Sequence, residues 1–375
     1  MKLKTWTSKD LHLGTRVFLR IDGNVPLKNG RAFDGSRGRL SQTIPEIVKL
    51  RAHGARIILA THLGDPGGKV DPKFSVKPVA KLLAQKLGRP IRVLDGLIGA
   101  SIEREILGAD AGEILMIENL RFDPGEEAND PAFAKSLAHL ADVYVNNAFG
   151  VCHRAHASVA GITKYLPSFA GELVEREIRE LDEPPTHPFL LIMGGAKLKT
   201  KIPILQHLGG KTDRILLGGA ISLPFLLALN RPVPASVKKT IDKEDVRGAE
   251  RVLRDFMDKL VLPEDLVIDS KGRASDIGLN SIALFTAEIE RARSVLWNGP
   301  MGIIEEAKGR AGTKAIGRAI LKRKLDHSIV GGGDSIEFLE SAKLLGGFTH
   351  VSTGGGAMLA FLSGEKLPGL EALRV

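Results

Sequence analysis

The chain of 375 residues has a single cysteine, Cys152, and aromatic residues make up only 5% of it. One cysteine excludes an intramolecular disulfide and a metal cage built from cysteines, and it favours a reducing, cytoplasmic location. The low aromatic content provides few platforms on which nucleic-acid bases could stack. No stretch approaches the ~20 apolar residues of a membrane span. The N-terminal MKLKTWTSKD lacks the apolar region of a secretory signal.

What is present is typical of a soluble globular protein, with 43% hydrophobic and 26% charged residues and a length that suits two domains. The formal net charge is +9. The basic residues are spread along the chain rather than bunched in arms, which argues against nucleic acid as a partner. A local basic cluster for a small anionic substrate accounts for part of the charge equally well.

β-Like runs alternate with helix-like ones, which predicts an α/β protein with two doubly wound, parallel-sheet, Rossmann-like domains. The charged helical pattern of 170–188 ends at Pro184 and Pro185, so a hinge helix joins the domains. We expect domains at 1–170 and 188–357, with 171–187 as the hinge helix and linker. The predicted strands are 16–21, 56–61, 91–94, 113–118, 142–146, 188–193, 214–217, 265–269, 294–297, 328–330 and 349–352.

Glycine-bearing turns follow five of the β-like runs in the second half, in the segments 190–201, 214–225, 295–303, 327–338 and 351–361. Any one of them could be a flexible turn. In an open parallel sheet, however, ligands bind beyond the carboxyl ends of the strands, where free backbone N–H groups and helix N-termini hold phosphate. Together with Lys197, Lys199 and Lys201, the five turns predict a site for a nucleotide polyphosphate.

In the first half, charged and polar side chains follow the strands instead. Arginine forks and imidazoles at successive strand ends suit a small, densely anionic molecule such as a phosphorylated carboxylate. An acid-binding half joined by a hinge to a nucleotide-binding half predicts a small-molecule kinase. The side chains concerned are Arg20, Asp22, Asn24, Arg39, His62, Arg121, Asn147, His153, Arg154 and His156.

Three other patterns are weaker. GGKT at 209–212 resembles the end of a Walker A loop, but Leu205 stands where that loop needs glycine, and the segment follows a helix. No G-x-G-x-x-G follows the first strand, which argues against a dinucleotide-dependent dehydrogenase. His153 and His156 could bind a metal in principle, but a role in an anion site or in the structure suits them better, because no third ligand is obvious nearby.

The motifs resemble those of the phosphoglycerate kinase family, and the resemblance covers essentially the whole chain. RIDGNVPL, ATHLGDP, FSVKPVAKLL, IENLRF, EEAND, NNAFGVCHRAHAS, GGAKLKTKI, WNGPMGIIE, GTKAI, GGGDS and STGGGA occur in the family's order. The resemblance implies magnesium-dependent phosphoryl transfer between 1,3-bisphosphoglycerate and ADP, giving 3-phosphoglycerate and ATP. It also implies a two-lobed monomer whose C-terminal segment, 358–375, returns to the first lobe.

The resemblance assigns residues by matching motif. It implies catalytic roles for Lys197, Arg39, Gly333 and Gly356. The acid-substrate residues it implies are Asp22, Gly23, Asn24, Arg39, His62, Leu63, Gly64, Asp65, Arg121 and Arg154. The nucleotide residues are Lys201, Gly218, Gly219, Asn298, Glu305, Gly332, Gly333, Asp334 and Ser335, with Asp334 also holding the magnesium.

Five places depart from the family's usual sequence. The family usually has phenylalanine at Gly23, arginine at Asp65, aspartate at Asn147 and Thr200, and GGGMA in place of GGAIS at 218–222. Asp65 replaces a cation with an anion near the expected acid site. Two alternatives therefore stay open: a non-catalytic descendant that binds nucleotide or phospho-acid, and a kinase for a different small acid.

Overall fold

The protein forms two compact units in a computed structural model that describes residues 1–239 and 241–375. The first contains Met1–Asp182 and Lys366–Val375, and the second contains Glu183–Glu365. Each is built around a six-stranded parallel sheet with helices packed on it, so the predicted α/β class is confirmed. Within the described residues, no helix is both long enough and apolar enough to cross a bilayer.

The first unit has its sheet strands in the order β5-β6-β4-β1-β7-β8, with all neighbours parallel, and a separate antiparallel pair, β2-β3. Its strands are β1 (Arg16–Arg20), β2 (Leu27–Lys28), β3 (Arg31–Ala32), β4 (Arg56–Ala60), β5 (Arg92–Val93), β6 (Ile114–Met116), β7 (Val143–Asn146) and β8 (Ser168–Ala170). Its helices are α1 (Arg39–Ala52), α2 (Lys77–Leu87), α3 (Ala100–Leu107), α4 (Pro124–Ala128), α5 (Pro131–His139) and α6 (Glu172–Asp182).

The register of the three central strands brings their carboxyl ends level. Arg20, the last residue of β1, pairs with Ala60 at the end of β4 and with Asn146 at the end of β7. The apolar residues of these strands, including Val17, Leu19 and Ile57, are buried in one core. The segments that leave the strand ends are therefore fixed at one edge of a rigid sheet, as substrate positioning requires.

α6 is anchored to the first unit at its N-terminus. The Glu172 N–H donates to the carboxylate of Glu46 at 2.5 Å, and the Leu173 N–H donates to Oδ1 of Asn147 at 2.8 Å. Two of the unpaired N–H groups of the helix are thereby satisfied. An amide oxygen at Asn147 serves this purpose as an aspartate would.

The second unit has its sheet strands in the order β11-β10-β9-β14-β15-β16, again all parallel. Its strands are β9 (Phe189–Met193), β10 (Arg214–Leu217), β11 (Leu260–Val261), β12 (Leu266–Ile268), β13 (Ala274–Ile277), β14 (Ser294–Asn298), β15 (His327–Gly331) and β16 (His350–Val351). Its helices are α7 (Ile202–Gly209), α8 (Leu223–Ala228), α9 (Ala235–Lys238), α10 (Lys243–Phe256), α11 (Leu279–Arg291), α12 (Ala311–Arg323), α13 (Gly333–Ser341) and α14 (Gly356–Leu362).

The run 265–269 does not join this sheet. It forms β12, which pairs antiparallel with β13 in a two-stranded hairpin. Short 3-10 turns occur at Pro72–Phe74, Leu120–Phe122, Phe149–Val151, Ile162–Lys164, Leu198–Thr200, Ala220–Ser222, Ala307–Gly309 and Leu345–Gly347, and Ala157–Gly161 is a π-helical turn.

The C-terminal segment packs on the first unit and contains α15 (Pro368–Glu371). The Lys4 N–H donates to the Leu373 carbonyl at 2.8 Å, and the Gly369 N–H donates to the Cys152 carbonyl at 2.9 Å. The division of the chain differs from the expected one at both boundaries. The first unit runs on to Asp182 because α6 is capped by it, and its returning segment begins at Lys366 rather than at 358.

Candidate active site

The loop after β1 is joined to the start of α1 by an ion pair. Arg39, the first residue of α1, places Nη1 3.1 Å from a carboxylate oxygen of buried Asp22, and it also donates to the Asn24 carbonyl at 3.0 Å. Oδ1 of Asn24 accepts a hydrogen bond from the Gly64 N–H at 3.0 Å. Arg39 is thus fixed to the loop that follows β1, and Asn24 links that loop to the one that follows β4.

His62 lies after β4 with only 5% of its surface exposed. Burial and four nearby arginines, Arg20, Arg121, Arg154 and Arg39, hold the pKa of its imidazole well below the usual value, so the ring is neutral at physiological pH. The same four charges show that the arginines predicted from separate motifs converge on one place. Convergence of cations that repel one another favours an anionic ligand.

Arg121 sits in the 3-10 turn after β6 and is 6% exposed. Nη1 donates to the Gly64 carbonyl at 2.8 Å, and Nη2 lies 3.0 Å from the carboxylate of Glu127. Among the described residues, Nε is buried and has no hydrogen-bond acceptor. A buried, unpartnered donor is costly unless a ligand supplies the acceptor.

Two other charged residues lie at the same site but are exposed. Arg154 follows the 3-10 turn after β7, and its charge lowers the pKa of both His62 and Arg121. Asp65 follows Gly64, and its charge raises the pKa of Arg121. Asp65 therefore sits close enough to Arg121 to act on it, while its carboxylate stays in solvent.

Gly23 is confined by its neighbours. Its N–H donates to Oγ1 of Thr61 at 2.7 Å, and a Cβ built on it would lie 2.8 Å from that oxygen and 3.0 Å from Cγ1 of Val79. The space that a side chain would need is taken by Thr61 and Val79. A larger residue at this position would therefore require Thr61 or Val79 to move.

Sequence reasoning did not assign the residues that support this site from below. The Asn119 amide donates to the Leu63 carbonyl at 2.7 Å and accepts from the Leu63 N–H at 3.2 Å, which fixes the loop after β4. Arg20, Glu126 and Ser158 form a fully buried polar group under His62. The available signal for Asn119, Glu126 and Ser158 was their place inside the motifs IENLRF, EEAND and NNAFGVCHRAHAS, which carried no role for them, whereas Arg20 was named only as a strand-end contact for the anion itself.

In the second unit, Lys201 is 8% exposed and its ammonium donates to Oδ1 of Asn298, which lies at the end of β14. Burial lowers the pKa of Lys201 to about 8, although the charge of Asp334 opposes that shift. Lys201 and Asn298, two of the predicted nucleotide residues, are thus in direct contact. Asp334, a third, lies close enough to raise the pKa of Lys201.

α13 begins directly after β15, with Gly332 as its N-cap at φ 97°. Asp334 is in the first helical turn and exposed, while the hydroxyl of Ser335 is buried and, among the described residues, has no hydrogen-bond partner. The unpaired N–H groups of the helix start and the orphaned hydroxyl suit an anionic ligand. Gly332 is required because the chain turns from strand to helix there at positive φ.

The interpretation that paired-glycine turns leave their amides free is wrong for the turns after β9 and β10. The N–H groups of Gly195, Gly218 and Gly219 donate to backbone carbonyls of Pro300, Met193 and Met301 at 2.8–3.0 Å. At Gly219, a Cβ would lie 2.8 Å from the Gly195 nitrogen, so glycine is required for packing of one turn against another. These turns form a close-packed floor rather than open phosphate loops.

The remaining predicted residues of this unit are dispersed around that floor. Glu305 is exposed on the loop after β14, and Lys197 is exposed where the 3-10 turn Leu198–Thr200 begins. The hydroxyl of Thr200 donates to the Lys197 carbonyl at 2.8 Å, so it closes this turn without the family's aspartate. Gly356 is the first residue of α14.

The phosphoglycerate kinase family model matches residues 9–365 of the chain. The chain belongs to the phosphoglycerate kinase family. It is 41% identical to the phosphoglycerate kinase of Dictyoglomus turgidum, with 96% of each chain aligned, and 42% identical to that of Koribacter versatilis, with 97% and 98% covered. Among solved structures, it resembles the phosphoglycerate kinase of Pyrococcus horikoshii with a TM-score of 0.88, 29% identity and 97% coverage of both chains.

A second solved phosphoglycerate kinase, from Coxiella burnetii, gives a TM-score of 0.85 at 33% identity and covers 99% of each chain. Family membership confirms the resemblance drawn from the eleven motifs, and it confirms the kinase class of enzyme and the α/β fold. The roles of individual residues in this phosphoglycerate kinase family member stay predictions.

Proposed function

We propose that this chain catalyses reversible, magnesium-dependent phosphoryl transfer between 1,3-bisphosphoglycerate and ADP, giving 3-phosphoglycerate and ATP, as a step of glycolysis and gluconeogenesis. In the reverse direction, a carboxylate oxygen of 3-phosphoglycerate attacks the γ-phosphorus of ATP. One P–O bond forms as the bond to ADP breaks, so no protein nucleophile is needed. Catalysis then rests on positioning and charge neutralisation.

The observation that carries the proposal is the buried, unpartnered Nε of Arg121 inside a cluster with Arg39, Arg154 and His62. A neutral ligand could accept from this donor but would leave the charge of Arg154 uncompensated. A molecule with a phosphate and a carboxylate supplies both acceptors and negative charge. We assign the 3-phosphoglycerate end to Asp22, Gly23, Asn24, Arg39, His62, Leu63, Gly64, Asp65, Arg121 and Arg154.

For the nucleotide, we propose that Lys201 and the N-terminus of α13 hold the phosphates and that Glu305 takes the ribose hydroxyls. Asn298 positions Lys201. Gly218 and Gly219 contribute by letting neighbouring turns pack closely, because their N–H groups are already bonded to backbone carbonyls. Magnesium binds proteins through one or two carboxylates together with substrate phosphates, and exposed Asp334 beside the orphaned Ser335 hydroxyl fits that pattern. When bound with the nucleotide, the ion neutralises charge on the phosphates.

Four residues are proposed to act on the transferring group itself. Exposed Lys197 follows the phosphoryl group, and Arg39 stabilises it from the acid side. Gly333 and Gly356 begin α13 and α14, so their backbone N–H groups are available for phosphate oxygens. These groups stabilise the charge that builds up on the equatorial oxygens during transfer.

Because donor and acceptor must meet for transfer, we propose that 171–187 contains a hinge between an acid-substrate domain, which is the first unit, and a nucleotide domain, which is the second unit. Small-angle scattering should give a smaller radius of gyration with both ligands than with either one, and a constant radius would contradict a hinge. We also propose a cytoplasmic monomer, on the strength of the single cysteine and the family resemblance.

A coupled assay with 3-phosphoglycerate, ATP and magnesium tests the proposal, with the Lys197→Ala variant as control. Turnover that depends on all three components and falls in the variant supports it. Activity no higher than that of Lys197→Ala would instead favour a descendant that only binds its ligands. Nucleotide turnover with another phosphorylated acid but not with 3-phosphoglycerate would favour the kinase of a different acid, for which Asp65 is the motivating departure.

A further inference from the structure

Arg20 is the last residue of β1, and its side chain is completely buried. Its guanidinium makes contacts in three directions: Nε donates to Oγ of Ser158 at 2.9 Å, Nη1 donates to the Ile21 carbonyl, and Nη2 lies 3.3 Å from Nδ1 of His62. A buried arginine that is fixed on three sides cannot move to meet a ligand. It can, however, determine the protonation state of the His62 ring that it contacts.

The contact with His62 has one chemical meaning. A guanidinium carries only hydrogen-bond donors, so Nδ1 of His62 must be the acceptor. A neutral imidazole that accepts at Nδ1 carries its hydrogen on Nε2. The contact therefore selects one of two tautomers and excludes the doubly protonated ring, whose Nδ1–H would face the arginine.

The arginine is itself held by a buried acid. Glu126 is fully buried and accepts from both the hydroxyl and the N–H of Ser158, at 2.6 and 2.9 Å. The hydroxyl of Tyr144 donates to the Ser158 carbonyl at 2.8 Å. Ser158 thus joins the Arg20 cation to the Glu126 anion, and the group is satisfied without a ligand.

We propose that Arg20 is a positioning residue that holds His62 as the neutral tautomer protonated on Nε2, so that the anionic substrate meets a fixed, uncharged N–H donor. The charged groups around the ring agree with this arrangement, because Arg39, Arg121 and Arg154 disfavour an additional proton. The acids of this cluster are engaged elsewhere: Asp22 pairs with Arg39, Glu127 pairs with Arg121, and Glu126 accepts from Ser158.

The consequence for substrate binding rests on the proposed function. A ring that stays neutral makes the contribution of His62 to 3-phosphoglycerate binding independent of pH near neutrality. Without Arg20, the pKa of the ring should rise, although burial and the three other arginines still lower it, so the charged fraction of the rings should grow as the pH falls. Binding of the anion would then strengthen as the pH falls.

Nitrogen NMR of the ligand-free protein labelled in its histidine rings tests the tautomer directly and needs no activity. The His62→Gln variant identifies the signal. We expect an unprotonated Nδ1 and a protonated Nε2 in the wild-type protein throughout pH 6–8. A protonated Nδ1 or a fully charged ring in that range would overturn the proposal, whatever the substrate proves to be.

The Arg20→Met variant then tests the cause. We expect the tautomer protonated on Nδ1 to become detectable in its His62 signal, and the ratio of KM at pH 8 to KM at pH 6, divided by the wild-type ratio, to rise above one. Dividing by the wild-type ratio removes the titration of the substrate phosphate. The control is Arg16→Met at the other end of β1, where an exposed ion pair with Asp142 is lost and His62 should be unchanged. An unaltered tautomer and KM ratio in folded Arg20→Met would refute the positioning role.

Discussion

The buried ammonium of Lys201 makes nucleotide affinity depend on pH in a direction that can be worked out. Its pKa is about 8 because burial disfavours the charged form. The ligand-free protein therefore carries the charge on about nine-tenths of its molecules at pH 7 and on about one-tenth at pH 9. If the nucleotide phosphates require a charged lysine, their Kd should rise about tenfold between these two pH values.

Titration calorimetry with the magnesium–nucleotide complex from pH 7 to pH 9 measures this change. Lys201→Arg is the matched variant, because a guanidinium remains charged throughout the range and should remove the pH dependence. Lys199→Met is the second control, since it deletes an exposed charge nearby and should retain the tenfold change. A wild-type Kd that varies less than twofold would refute the reasoning, and so would an equal change in Lys201→Arg.

The same lysine predicts a stability effect of the opposite sign. A lowered pKa means that the unfolded chain binds the proton more tightly, so burial of Lys201 destabilises the folded protein below pH 8. This penalty should fade as the pH rises from 8 toward 10.5, by up to about 1.4 kcal/mol per pH unit. In denaturant unfolding, the free energy of unfolding of the wild-type protein, relative to that of Lys201→Met, should increase as the pH rises. Nucleotide affinity should fall over the same range.

Three further predictions concern the two sites. Arg121→Ala should weaken 3-phosphoglycerate binding about tenfold to a hundredfold and leave nucleotide binding unchanged. Asp334→Ala should weaken nucleotide binding and leave 3-phosphoglycerate binding unchanged. Calorimetry in which either variant weakens both ligands equally would contradict the assignment. Asp65→Ala should leave kcat nearly unchanged. It should lower KM for 3-phosphoglycerate modestly at low salt, where the repulsion is felt, but not at high salt. Abolished activity would instead show that the carboxylate is a working part of the site. Gly23→Ala should cost about 1–3 kcal/mol in denaturant unfolding. Its double variant with Val79→Ala should lose less stability than the sum of the two single losses, whereas strictly additive losses would contradict the predicted clash.

The strands of the two sheets were largely predictable because most are uninterrupted apolar runs bounded by polar or glycine-rich segments. The runs at 16–21 and 56–61 became β1 and β4 within one residue. The edge strands β8 and β11 were missed, since two or three residues carry too little pattern. The run 265–269 was placed in the wrong setting, because a single sequence does not tell a sheet strand from a hairpin strand.

The glycine turns illustrate a limit of another kind. Gly219 and Gly332 follow strands in the same way, and both have positive φ. At Gly219 the reason is a neighbouring backbone 2.8 Å from the would-be Cβ, whereas Gly332 opens a helix whose first residue, Gly333, has nothing within 4 Å of its would-be Cβ. The sequence predicts that something approaches such a glycine closely. Whether that is a phosphate or another turn depends on packing between segments far apart in the chain.

The charge balance of the acid site explains which of its residues a single sequence could and could not reveal. Each buried or half-buried arginine of the site has an acid near it: Arg39 has Asp22, Arg121 has Glu127, and Arg20 reaches Glu126 through Ser158. These acids are not recognisable as partners from spacing, because they come from different loops. They are nevertheless required, since an uncompensated buried charge is strongly destabilising.

Arg154 differs from the other three arginines because it is exposed, and among the described residues it has no acidic partner within ion-pair distance. Its Nε donates to Nε2 of His153 at 3.3 Å. The positive charge left for a ligand is therefore concentrated at Arg154 and at the free Nε of Arg121. The buried cations of the site are thus paired with acids, whereas Arg154, whose charge solvent can stabilise, is left without an acidic partner in the part of the chain that the structure describes. An anionic substrate replaces that solvent, so affinity at this site follows from charges that folding did not need to pair.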